Sequence, residues 1–249
     1  MAEETLLLGT ENSGEGSAPR LNPKLLEYLE EFRRRIIRVG IAVTTGSLGA
    51  YFFIDEIMHY LTLPAGKLYY MQPAEAFFIY LKAAIFAGFL VTAPIVFYQL
   101  CRVFIPALTV GERKLLAAVV PSAVLLFYTG LLFSFFCVLP AGIHFFLGFG
   151  NPELQPLLSI DKYLSFVLSF VLPFGVIFEL PLIVVLLARL GIATSAFLRR
   201  QQRMVIFLTF VIGAVISPTP DVFSQSMIAV PMILLYELSY GIVRYVMKK

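Results

Sequence analysis

The feature that most restricts this sequence is a series of apolar stretches, several of which reach the length of a membrane-crossing helix. About 20 apolar residues are needed to cross a hydrocarbon core of about 30 Å as a helix. The chain of 249 residues is 59% hydrophobic and only 14% charged, whereas a soluble domain carries charges on about a quarter of its residues. No strand-like alternation over segments of about 10 residues indicates a transmembrane barrel. The sequence therefore predicts an all-α, polytopic integral membrane protein.

Six membrane spans follow from the apolar runs. The run between Met204 and Gly241 is too long for one crossing, and a Ser-Pro-Thr-Pro-Asp segment at 217–221 divides it into two helices. The fifth span has only 14 residues, or about 21 Å at about 1.5 Å per residue, so we expect either a thin bilayer beside the last two helices or neighbours that cover the deficit. The six predicted spans cover residues 36–54, 76–101, 115–138, 163–188, 204–217 and 222–241.

The residues before the first span are divided into two parts. Residues 1–22 lack the basic start and the long apolar core of a secretory signal, and their Gly, Ser and Glu content predicts a disordered cytoplasmic tail. Asn22 and Pro23 then resemble an N-cap and first turn, and Leu25, Leu29 and Phe32 fall on one helix face. An amphipathic helix over residues 23–35 is therefore expected to lie on the membrane, and residues 23–249 form one transmembrane domain.

The basic residues give the orientation. With the amino terminus inside, sixteen of the nineteen Lys and Arg residues fall on inner segments, and only Lys67 and Lys162 fall outside. Lys82 lies within the second span, close enough to its outer end to reach the interface. The positive-inside rule then predicts that both termini are cytoplasmic. Prolines at positions 94, 121, 173, 181 and 231 favour a curved, concave bundle.

Two glutamates interrupt the basic inner face. Glu31 lies next to three consecutive arginines and Glu112 is followed by Arg113. Exposed carboxylates at such a surface could bind an incoming guanidinium group through two parallel hydrogen bonds. The alternative is that Glu30 with Arg34, and Glu31 with Arg35, form i, i+4 salt bridges that only support the helix.

Further polar residues lie deeper in the apolar segments. Glu179 falls well inside the fourth span, where a carboxyl group is costly unless it is protonated or partnered, so it is a candidate functional site. Asp221 follows the short turn, and with Ser224 and Gln225 it forms a polar cluster near the outer face. Asp221 could instead simply cap the sixth helix.

Enzyme signatures are absent from the sequence. It contains no zinc-protease, serine-hydrolase or phosphate-loop motif and no pair of intramembrane aspartates. Cys101 and Cys137 lie in or beside apolar runs, so we interpret them as packing residues and predict neither a disulfide nor a metal site. We expect a protein that is not an enzyme, needs no cofactor and binds no nucleic acid.

Five short segments, in order, resemble one family. They are Leu-Glu-Glu-Phe-Arg-Arg-Arg at 29–35, Ala-Pro-Ile-Val-Phe-Tyr-Gln at 93–99, and Phe-Ile-Pro-Ala-Leu at 104–108 followed by Glu112-Arg113. The last two are Phe174-Gly175 through Pro181, and Pro-Asp-Val-Phe-Ser-Gln at 220–225. The chain is similar in these segments to the TatC family, the six-span subunit of the twin-arginine protein translocase. The resemblance covers about residues 25–244.

The resemblance implies a receptor in the bacterial inner membrane that binds twin-arginine signal peptides. In this reading Glu31 and Glu112 bind the two arginines, and Arg33 positions the amino-terminal motif. Glu179 would face a concave membrane cavity, and Gln225 would lie near the docking site of small single-span partners of the TatA and TatB type. Export of folded proteins would use the proton-motive force and an oligomeric complex. Cys101 stands where the family often has an aromatic residue.

A different class of function is also compatible with the residues. A proton-coupled transporter of small solutes could use Glu179 as its proton carrier. The sequence gives the transporter reading little further support, because the apolar part of the bundle contains one other acid, Glu237, near the inner end of the sixth span.

Overall fold

The computed structural model describes residues 23–103, 110–148 and 157–247, and these residues are almost entirely helical. The prediction of an all-α fold is confirmed. Within the described ranges the one strand-like pairing is an isolated bridge between Tyr69 and Ser159. The helices are α1 (Pro23–Tyr51), α2 (Ile54–Thr62), α3 (Pro73–Val103), α4 (Val110–Phe133), α5 (Leu139–Leu147), α6 (Ile160–Ile177), α7 (Leu180–Arg189), α8 (Ser195–Ile216) and α9 (Val222–Gly241).

Four helical stretches are long and apolar enough to cross a membrane. They are Pro73–Val103, Ala118–Leu147, Ile160–Arg189 and Val222–Val246. A fifth exists if Leu29–Tyr51 and Ile54–Ala65, which meet at an angle of 85°, are taken as one span. Helix α8 is long enough, but Arg199, Arg200 and Arg203 make its first part too polar. The count of six spans therefore stays a prediction.

The first helix differs from its predicted division. The expected amphipathic helix over 23–35 and the expected span over 36–54 form the single helix α1, which ends at Tyr51. The segment between Lys24 and Ile36 contains neither proline nor glycine, so nothing in it breaks the backbone hydrogen bonds. The predicted tail over 1–22, with Asn22, lies outside the described residues.

The third and fourth predicted spans are longer than expected, and each contains a departure from regular α-helix. Helix α4 continues through a π-helical turn, Ser134–Val138, into α5. The fourth span is interrupted between α6 and α7 at Phe178 and Glu179. Pro181 explains this break, because proline has no N–H to donate and its ring disfavours helical backbone just before it.

Close contact between α1 and α3 rests on small residues. These two helices form the most extensive helix pair in the described part of the chain. A Cβ atom on Gly46 would lie 2.6 Å from the side chain of Thr92 and 2.9 Å from the carbonyl oxygen of Gly88. A Cβ atom on Gly88 would overlap the backbone of Ser47. Glycine at both positions lets the backbones approach, as small residues do in other membrane helix pairs.

Three apolar clusters hold the remaining helices together. The largest joins α2, α3, α4 and α6 around Phe127 and Val167, and the second joins α6 to α9 around Phe174 and Ile228. The third lies where α7, α8 and α9 meet, around Ala188. Many large apolar side chains remain exposed along the helices, as expected of surfaces that face lipid, among them Leu48, Val91, Leu125, Phe136, Phe207 and Leu234.

A polar cluster fastens the segment before α3 to the start of α6. Glu75 accepts hydrogen bonds from the hydroxyl of Ser159 at 2.7 Å and from the backbone N–H of Met71 at 2.6 Å. The ammonium of Lys82 lies 2.5 Å from a carboxylate oxygen of Asp161. The charge distribution of the sequence assigns this end of the bundle to the outer side.

Candidate functional site

Glu31, the first predicted site residue, lies one turn before Arg35 on α1. The guanidinium of Arg35 donates to the carboxylate of Glu31 and, through a longer contact of 3.5 Å, to the side-chain oxygen of Gln99 on α3. The i, i+4 salt bridge that the sequence suggested is therefore present. The second such pair is also formed, between Arg34 and Glu30 at 3.1 Å.

The two members of the Glu31 pair are not equally buried. Arg35 is only 7% exposed, and its Nε has no hydrogen-bond partner among the described residues. The side chain of Glu31 is 41% exposed, so one part of this carboxylate faces away from the helices. Glu31 is therefore a partly exposed acid that already pairs with a guanidinium group of its own chain, that of Arg35.

Arg33 and Glu112 complete the predicted binding group. Arg33 is exposed, and it has no hydrogen bond or ion pair in the part of the chain that the structure describes. Glu112 lies in the first turn of α4, but its side chain is outside the described part, as are residues 104–109. Gln99 beside Arg35 is close to the end of α3, and only those six residues separate α3 from α4. Glu31 and Glu112 thus belong to the same end of the bundle.

Glu179 lies at the break between α6 and α7. It is only 7% exposed, and its Oε1 has no hydrogen-bond partner among the described residues. Its backbone carbonyl accepts from Ile183, so the residue begins α7 without capping it through the side chain. Its neighbours Phe178 and Leu180 pack against the cluster between α6 and α9. The carboxyl group itself is close enough to the thiol of Cys101 on α3 to interact with it electrostatically.

The polar residues near the start of α9 have internal partners. The carboxylate of Asp221 accepts from the backbone N–H of Ser224 at 2.7 Å and so caps α9, as one reading of the sequence proposed. Burial opposes ionisation of Asp221, but hydrogen bonds from Thr219 and Ser224 hold its pKa below the usual value. The amide of Gln225 donates to the backbone carbonyl of Phe210 at 2.7 Å and ties α9 to α8.

Two polar contacts of this architecture were missed by sequence reasoning. One is the contact between Arg35 and Gln99, and the other is the pairing of Lys82 with Asp161. Lys82 gave a signal, because a lysine inside an apolar span needs a partner or the interface. The sequence alone offered no way to choose Asp161.

Comparison with known proteins gives a consistent result. The family model for TatC, the Sec-independent protein translocase protein, matches residues 27–231. A Sec-independent protein translocase protein TatC of Carboxydothermus hydrogenoformans is 37% identical over 229 residues, covering 90% of this chain and 94% of that protein. The TatC of Escherichia coli K12 is 33% identical over 232 residues, covering 90% of both chains.

A solved structure matches the fold as well. It is described as "Crystal Structure of Twin Arginine Translocase Receptor- TatC" and superposes with a TM-score of 0.77 at 36% sequence identity. The match covers 87% of this chain and 98% of that chain.

Proposed function

Because the chain belongs to the TatC family of Sec-independent protein translocase proteins, we propose that it is the signal-peptide receptor and core subunit of a twin-arginine translocase. It is a component of a protein translocase and a membrane protein with several apolar helices. Its ligand in this proposal is a peptide with two consecutive arginines at the amino terminus of a folded cargo protein.

The observation that carries the proposal is the pairing of Glu31 with the guanidinium of Arg35. A partly exposed carboxylate that holds an arginine of its own helix has the chemistry to hold an arginine of a peptide. Arg34, Arg38 and Arg102 are exposed on α1 and α3, and the neighbouring exposed acid, Glu30, is already paired with Arg34, so a cationic peptide has few other acids to bind here.

Two arginines call for two acceptors, and Glu112 is the second. In support of this, Glu112 falls in the first turn of α4, which begins shortly after the end of α3 where Gln99 contacts Arg35. Each planar guanidinium can form two parallel hydrogen bonds with one carboxylate, which a lysine ammonium cannot reproduce. Arg33, exposed between Glu31 and Arg35, positions this segment of α1.

The same proposal includes the remaining parts of a translocase. Small single-span partners of the TatA and TatB type dock near Gln225, and Glu179 provides a polar point facing the membrane cavity. The complex is oligomeric, is energised by the proton-motive force and lies in the inner membrane with both termini in the cytoplasm. The distribution of Lys and Arg supports this orientation.

The transporter alternative has one supporting observation. Glu179 is a buried carboxyl group without a hydrogen-bond partner among the described residues, as a proton carrier could be. Membership of a translocase family favours the receptor function over it.

The receptor function can be tested by cross-linking the full protein in membranes to a twin-arginine peptide. Glu31→Gln and Glu112→Gln should each abolish the cross-link, because each removes one charged acceptor. Glu30→Gln is a matched control, since Glu30 neighbours Glu31 but pairs with the exposed Arg34. A peptide with two lysines should cross-link weakly to the unmodified protein. Retained cross-linking in both glutamate variants would contradict the proposed site.

A further inference from the structure

A polar cleft lies between α8 and α9, at the end of the bundle that the charge distribution assigns to the cytoplasm. It has a volume of about 170 Å³ and is lined by Leu198, Arg199, Gln202, Tyr236, Glu237 and Tyr240. The proposed receptor function uses none of these residues.

Two arginines converge on one hydroxyl group at this cleft. Arg244 donates to the hydroxyl of Tyr240 at 2.8 Å, and Arg199 approaches the same oxygen at 3.5 Å. Neither arginine forms an ion pair with an acid in the part of the chain that the structure describes. A neutral phenol oxygen therefore sits between two cations that repel each other, and an anion placed there would relieve this repulsion.

Glu237 gives the cleft a separate acceptor. One of its carboxylate oxygens accepts from the amide of Gln202 at 2.6 Å, and no described residue donates to the other oxygen. Tyr236 stays fixed beside it, because its hydroxyl donates to the backbone carbonyl of Leu198 at 2.6 Å. The cleft thus combines a site for a negative group with a site for a positive group one helical turn away.

The depth of the cleft suits a lipid headgroup. Tyr236, Tyr240 and Tyr245 cluster at this end of α9, and tyrosine is enriched at the level of membrane headgroups. Arg244 also lies over the ring of Tyr245, 5.4 Å from its centre, which keeps the guanidinium near the interface. Exposed apolar side chains on the same two helices, such as Phe207 and Leu238, offer surface to acyl chains.

We propose that this cleft binds an aminophospholipid, with the lipid phosphate between Arg199 and Arg244 and the lipid ammonium at the carboxylate of Glu237. Guanidinium groups bind phosphate through charge-assisted, often bidentate hydrogen bonds. Basic pockets between membrane helices on the cytoplasmic side are suited to phospholipid headgroups. An anionic lipid with a glycerol headgroup satisfies the two arginines but leaves Glu237 without a cation, so it binds less well.

The test is native mass spectrometry of the full protein in detergent with added lipid. The unmodified protein should retain one phosphatidylethanolamine. Its affinity for phosphatidylglycerol or for inorganic phosphate should be lower by a factor of about ten or more. The variant with Arg199→Gln and Arg244→Gln should lose about tenfold or more in lipid affinity. Glu237→Gln should remove the preference for phosphatidylethanolamine over phosphatidylglycerol. Arg203→Gln is the control, because Arg203 is exposed on α8 and does not line the cleft.

Thermal unfolding of each variant in the same detergent shows whether the variant is folded. The comparison of the ligands uses only the unmodified protein, so it remains valid if a variant does not fold. Equal affinity for the two lipids overturns the assignment of the ammonium to Glu237. Undiminished lipid binding in the folded double arginine variant overturns the phosphate site. Binding of inorganic phosphate as tight as that of phosphatidylethanolamine overturns the lipid as its ligand.

Discussion

The ammonium of Lys82 on α3 lies 2.5 Å from the carboxylate of Asp161 on α6, so an ion pair joins helices whose paired residues are 79 positions apart. Glu75 lies in the same region and accepts from Ser159 and from the backbone of Asp161. Together these contacts hold the start of α6 against the first turns of α3. This end of the bundle is thus fastened by polar groups.

We expect the Lys82–Asp161 pair to contribute a small, measurable coupling. Both side chains are about 40% exposed, so the coupling free energy should be about 0.5–1 kcal/mol. It can be measured by a double-mutant cycle with Lys82→Met and Asp161→Asn, using thermal unfolding in detergent. Lys162→Met is the control, because Lys162 is exposed and forms no ion pair with a described residue. Additive single effects would show that the pair is not coupled.

Gly88→Ala should destabilise the pairing of α1 with α3. The added methyl group would overlap the backbone of Ser47, so the helices would have to separate. The expected loss of unfolding free energy is about 1–3 kcal/mol. Gly40→Ala on α1 is the matched control, since a Cβ atom there meets nothing within 4 Å. A lower thermal midpoint for the control than for Gly88→Ala would contradict the proposed close contact.

Arg35→Gln should cost more stability than Arg34→Gln, although the two arginines are neighbours. Arg35 is buried between Glu31 and Gln99, whereas the side chain of Arg34 is 68% exposed. We expect a loss of about 1–2 kcal/mol for Arg35→Gln and less than about 0.5 kcal/mol for Arg34→Gln. Unfolding in detergent at one pH and salt concentration measures both. Equal losses would mean that burial of Arg35 brings no stability.

Asp221→Ala should destabilise the start of α9 by about 0.5–2 kcal/mol, the usual effect of losing a helix cap. Asp221→Asn should keep most of the cap. Because the pKa of Asp221 is lowered in the folded protein, its ionised form stabilises the fold at neutral pH. This contribution should disappear as the pH falls through the folded pKa, and Asp221→Asn should lack that pH dependence. Thermal unfolding between neutral and acidic pH gives the comparison.

The sequence was sufficient for features that depend on local chemistry. Apolar length predicted the four helical stretches long enough to cross a membrane. The i, i+4 spacing offered the pair between Glu31 and Arg35 as one of two readings, and the position of Asp221 after a turn offered its cap in the same way. Each of these depends on residues within one or two helical turns. They can therefore be read without knowing how the helices pack.

Contacts between distant helices could not be predicted in the same way. The partners of Arg35 and Lys82 on other helices depend on how far each helix is shifted and rotated against its neighbour, which no single helix specifies. The break at Glu179 was also missed, because Pro181 inside an apolar run is compatible with either a kink or a helix start. The side-chain position of Glu112 stays a prediction.

The pairing of Glu31 with Arg35 has a consequence for how a peptide would bind under the proposed function. An arriving arginine would not meet a vacant carboxylate but would exchange places with an arginine that is already there. The number of ion pairs at Glu31 is then the same before and after binding, so the net gain from this contact is smaller than a vacant carboxylate would give. Such an exchange favours a ligand that is readily released once cargo has been handed on.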